Sequence, residues 1–121
     1  MAYTVLTKKF AQSTFRLPLT QDGQSYLVCK PILGTKLNEV TRNCIAECGF
    51  DAQLAASRII QAVLEECVIG WTGIADINGK DIPYSVEMLR EICDADAEFA
   101  ATQVDRIRRI AREARLEEEK N

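Results

Sequence analysis

Residues 70–85 read GWTGIADINGKDIPYS. They hold the chain's only tryptophan and three of its six glycines, yet they lie between two segments with helical apolar spacing. Asn78-Gly79 is a turn signal, because both residues tolerate positive φ. Pro83 pushes Ile82 out of the helical region, so the next helix starts beyond it. Tyr84-Ser85 then offers an N-cap, with Glu87 in the first turn. Trp71, Ile74, Ile82 and Tyr84 are the apolar anchors that would pin such a segment onto neighbouring helices. The sequence therefore predicts a connection over 69–84, with helices on both sides.

Working outward, Asp51 is placed to cap a helix over 51–68. Its apolar residues Leu54, Ile59, Ile60, Val63, Leu64, Cys67 and Val68 cover most of the circumference and predict the central element. An earlier helix over 35–48 has Thr35 as N-cap, a stripe of Leu37, Val40, Cys44 and Cys48, and Gly49 as its C-terminal stop. Downstream, Met88, Leu89 and Ile92 mark a helix over 85–94. A last helix over 97–118, capped within Asp94–Ala97, has Phe99, Val104, Ile107, Ala111 and Ala114 on its apolar side. Residues 1–31 read as extended. Phe15, Leu17 and Leu19 alternate, Tyr26–Lys30 is a second run, and Asp22-Gly23 between them signals a hairpin with Pro18 on an edge. Tyr3 and Val5 suit a further strand. The expectation is one domain, 1–121, mainly α with a small N-terminal β-hairpin (α+β) and about four helices packed in one core.

Composition narrows the function. The net charge of −3 argues against general nucleic-acid or membrane-surface binding, and no apolar run approaches a membrane span. The start, MAYTVLTKKF, has no signal-peptide pattern, so a cytoplasmic protein is expected. Five cysteines, an odd number, argue against a disulfide framework. Cys44 and Cys48 are spaced to share a helix face, but with no histidine and no second close pair they do not complete a metal site. Asp76, Asn78 and Gly79 resemble part of a calcium loop, but that register puts Ile74 and Ser85 where carboxylates are required. Without histidine, a phosphate loop or a nucleophile elbow, no catalytic set assembles, and neither an enzyme nor a cofactor is expected. Arg108, Arg112 and Arg115 form a basic stripe on the last helix. It reads either as a solvated face with internal ion pairs, given Asp105, Glu113 and Glu117–Glu119 nearby, or as a contact for an acidic partner or nucleic acid.

The order of elements and the spacing Trp71, Gly73, Ile74, Asp76, Gly79, Lys80, Pro83, Tyr84, Ser85, Glu87 resemble the small tail assembly chaperones of long-tailed bacteriophages. About sixteen residues carry the resemblance, and they look like determinants of fold. It implies a non-catalytic protein of the host cytoplasm that binds the long, helix-rich tape measure protein during tail morphogenesis and self-associates along it. Such proteins are commonly made in a short form and a form extended by −1 ribosomal slippage. The last residues, Glu119-Lys120-Asn121, are encodable as GAA AAA AAC, which contains A AAA AAC in the required frame. On that reading the chain is the short form. For client contact, amphipathicity singles out Phe99, Val104, Ile107 and Ile110 with the stripe of Arg108, Arg112 and Arg115. Competing expectations are a minor tail or head-completion protein that stays in the virion, a small helical nucleic-acid-binding regulator, and a bacterial adaptor.

Overall fold

In a computed structural model of the protein, the described residues are 13–120, with side chains described as far as Ile110. The strand expected around Tyr3 and Val5 lies outside them. Phe15–Pro18 (β1) and Tyr26–Cys29 (β2) form the expected antiparallel hairpin, registered Phe15 to Cys29 and Leu17 to Leu27. Gly23 takes φ 72° in the turn. There Asp22 Oδ1 accepts from the Thr20 hydroxyl and the Gln24 N–H, which holds the Asp22 carboxyl below its ordinary range. Pro18 is on the sheet edge, where its missing N–H leaves no ladder bond unmade.

Two helices follow, Gly34–Cys48 (α1) and Ala52–Cys67 (α2). Thr35 is not the cap of α1. The helix starts one residue earlier, and Leu33 at the cap position makes no side-chain hydrogen bond. Asp51 does cap α2, accepting from Leu54 N–H at 2.9 Å. The chain then departs from the expected connection. Val68–Thr72 is a third strand, β3, antiparallel to β2, in the sheet order β1-β2-β3. The helix expected to reach residue 68 ends at Cys67 instead. The physical reason is that Val68, Ile69, Trp71 and Thr72 are β-branched or aromatic and meet the open edge of β2. Tyr26, Leu27 and Val28 face Thr72, Trp71 and Gly70, but Cys29 faces Val68, so Ile69 bulges out of the ladder and is exposed.

Val86–Ala95 (α3) and Ala97–Lys120 (α4) complete the order, giving four helices and one small antiparallel sheet among the described residues. Ser85 caps α3 at Met88 N–H, 3.0 Å, and Asp96 caps α4 at Phe99 N–H, 2.9 Å. The core joins Leu17, Leu27 and Cys29 of the sheet to Val63, Leu64 and Cys67 of α2, Leu89 of α3, and Ala100, Val104 and Ile107 of α4. Only the second half of α2 is central. Its first turns leave Leu54 exposed.

Candidate functional site

Trp71 stands on β3 with its ring edge-on to Tyr84, centroids 5.0 Å apart and planes at 90°. The pair ties the strand to the residues before α3 by two crossed bonds. Trp71 Nε1 donates to Ile82 O at 2.8 Å, and the Tyr84 hydroxyl donates to Val68 O at 3.0 Å. Burial pushes the Tyr84 phenol above its ordinary pKa, with the Glu65 and Glu87 carboxylates adding to it, so the donor keeps its proton. Between the anchors the chain makes its own small hairpin. Ala75 pairs with Asp81, Ile82 N–H donates to Ile74 O, and Gly79 takes φ 81°. Asp76 Oδ1 closes the tip by accepting from the N–H groups of Asn78 and Lys80 at 2.9 and 3.0 Å. At Gly73, φ 76°, a Cβ would stand 2.8 Å from both Gln24 O and Ser25 Oγ, and Ser25 Oγ donates back to Gly73 O. Trp71, Asp76, Tyr84 and Ser85 therefore hold the backbone of this segment and its flanks, at Ile82, at Asn78 and Lys80, at Val68 and at Met88, and Ile74 O takes the Ile82 N–H, while Pro83 stands exposed in front of the cap. They build the scaffold.

The expected client-binding residues of α4 do not lie together. Val104 and Ile107 are buried in the core and are not available to a partner, which corrects that expectation. The reason is that amphipathic spacing marks a buried face and a docking face in the same way. Phe99 and Ile110 are half-buried against the core, whereas Arg108 is exposed. At 3.6 residues per turn Arg108 is about 160° around the helix from Ile110, so they border opposite edges of the buried face. The Arg112 and Arg115 side chains lie outside the described residues; both positions fall within about 40° of Arg108 on the helix. The other arginines of this helix are engaged. Arg106 donates to Gln103 Oε1 and to Pro18 O, fastening α4 to β1, and Arg109 pairs with Asp105 at 2.7 Å.

No group of three or more histidine, cysteine or acidic side chains is arranged for a metal among the described residues. All five thiols are free, and burial raises those of Cys67 and Cys93 to about 11 and that of Cys29 to about 12. A polar surface cleft of about 520 Å³ lies between α1, α2 and α3. There Arg90 Nε donates to Glu65 on its wall. No helix among the described residues is long and apolar enough to cross a membrane.

No family model, curated protein or solved structure matches this chain.

The sequence reading missed the α1–α2 turn. Phe50 is fully exposed beside an open apolar groove of about 340 Å³, and Ile45 and Leu54 nearby are exposed as well. The available signal was a large apolar residue directly after Gly49, in a turn only three residues long. An apolar residue there usually folds back onto the helix it follows; this one does not.

Proposed function

We propose that the chain is a non-catalytic tail assembly chaperone of a long-tailed bacteriophage that holds the tape measure protein during tail morphogenesis. The observation that carries this is the interlocking of the Trp71–Ser85 residues. Four of the positions that resemble the chaperone family bond to the backbone of this segment and its flanks, Trp71 to Ile82, Tyr84 to Val68, Asp76 to Asn78 and Ser85 to Met88, as determinants of a shared fold would. Client contact is assigned to the basic edge of α4, Arg108 with Arg112 and Arg115, where Arg108 is exposed and has no ion pair among the described residues. The matching client surface is an acidic, amphipathic helix.

Co-expression with the tape measure protein tests the reading. The client is expected to stay soluble and co-purify with the chain, and to aggregate when Arg108, Arg112 and Arg115 are all changed to Glu. A client equally soluble without the chain overturns the chaperone function. One rescued equally by the triple variant overturns the assigned surface. The short-form proposal is checked in the gene. A AAA AAC in the zero frame at Glu119–Asn121, with an overlapping −1 frame, is expected.

A further inference from the structure

Phe50 and its surroundings form both a projection and a recess in one surface. The ring is fully exposed and forms one wall of an open groove whose other walls are Ile45 of α1 and Ala52, Ala55, Ala56 and Ile59 of α2. Gly49 takes φ 60°, which turns the chain so that Phe50 leaves the end of α1 pointing away from the core. The alanines keep the α2 wall low enough for an aromatic ring to lie on it. A surface that carries a knob and the hole for it is self-complementary under a two-fold rotation.

This face also carries one exposed charge of each sign. Arg42 is exposed one turn before Ile45, and it has no ion pair among the described residues. Asp51 is exposed in the groove lining at the other end of the face, and only its Oδ1 is used, as the cap of α2. A two-fold axis that sets two α1 helices antiparallel brings the Arg42 end of one copy toward the Asp51 end of the other. A uniformly acidic or basic partner would meet one attractive and one repulsive charge on the same face. A second copy meets two attractive pairs.

We propose that the α1–α2 turn is a two-fold interface between two copies of this chain, in which each Phe50 ring enters the other copy's alanine-walled groove and Arg42 pairs with Asp51 across the axis. The interface stands on this surface and not on the tail-assembly reading. Its failure is read from the mass of the isolated chain and leaves client solubility untouched.

Sedimentation equilibrium of the full chain from about 1 μM to 1 mM covers the range of ordinary weak and moderate dimers. A concentration-dependent dimer is expected, weakened at least about tenfold by Phe50→Ser, since a buried aromatic at the centre of an interface is a typical hot spot. The charge pairing is tested by mixing. Arg42→Glu alone and Asp51→Lys alone each create like-charge pairs in a homodimer and are expected to be monomeric. Mixed one to one, the two variants set the introduced carboxylate of one against the introduced ammonium of the other. The second contact across the axis stays the native Arg42–Asp51 pair, and a heterodimer is expected. A circular dichroism spectrum confirms that Asp51→Lys, which also loses a helix cap, remains folded. A monomeric wild-type chain throughout the range overturns the proposal. So does a dimer indifferent to Phe50→Ser, or a charge-reversed mixture that stays monomeric.

Discussion

At Gly73 the backbone runs against the β1–β2 turn with no room for a side chain. A methyl group there would sit 2.8 Å from Gln24 O and Ser25 Oγ and 3.0 Å from Ser25 Cα, in a backbone conformation, φ 76°, that side chains disfavour. Gly79 has the same sign of φ, 81°, with open space around it. The two glycines therefore separate steric collision from backbone strain. Gly79→Ala is expected to cost about 1 kcal/mol, the conformational term alone. Gly73→Ala is expected to cost about 2–3 kcal/mol, because the hairpin must also move. Urea unfolding followed by the single tryptophan measures both, and equal losses would contradict this account. Trp71→Phe keeps most of the ring but leaves Ile82 O without its donor, so a loss of about 1–2 kcal/mol is expected. Phe replacing Tyr84 removes a hydroxyl from Val68 O and is expected to cost about 1 kcal/mol.

Among the elements, the helices were legible where a polar cap preceded an apolar stripe. Asp51 and Ser85 announced α2 and α3 because a short polar side chain that accepts from the third residue onward has few other uses before a helix. Ser85→Ala is expected to lower stability by about 1 kcal/mol, with Ser85→Asp retaining most of it. Thermal unfolding of the three proteins checks the order. β3 was not legible, since Val68 continues the apolar spacing of α2 and only pairing with β2 decides where the helix ends. Long-range partners of that kind do not show in local periodicity. The same holds for α4, whose stripe of Val104 and Ile107 reads identically whether it meets its own core or a client. Arg106 shows the converse. One arginine in a run of charged residues ties the helix to Pro18 O on the sheet. Arg106→Ala leaves the Oε1 of the buried Gln103 unpaired and gives the exposed Pro18 O to water, at an expected cost of about 1 kcal/mol, whereas Arg108→Ala is expected to leave stability unchanged. A chemical-denaturation comparison of these two variants distinguishes a structural arginine from a surface one.

At the scale of the whole molecule the core is sulfur-rich, and that makes its stability depend on alkaline pH. Cys29 and Cys67 are completely buried and sit in one cluster with Leu17, Leu27, Leu64 and Leu89, while Cys93 packs at its border. Burial is the main cause that lifts Cys29 from the ordinary 9.0 to about 12, and it lifts Cys67 and Cys93 to about 11. The folded pKa values are raised, so well below pH 9 the thiols are protonated in both states and add no slope. Above pH 9 the unfolded chain releases these protons while the native core retains them. The unfolded state then binds fewer protons, and stability falls as pH rises toward the folded values. Removing one such thiol should remove one proton's share of the slope. Unfolding free energy measured between pH 8 and 10.5 is expected to decline steeply in the wild-type chain and less steeply in Cys67→Ala, even though that variant is less stable throughout. Parallel declines would mean that the thiols ionise alike in both states. A reagent that captures thiolates gives an independent reading at pH 8. Cys48, the half-exposed thiol of α1, is expected to react first, and Cys29 and Cys67 only at the rate of global unfolding.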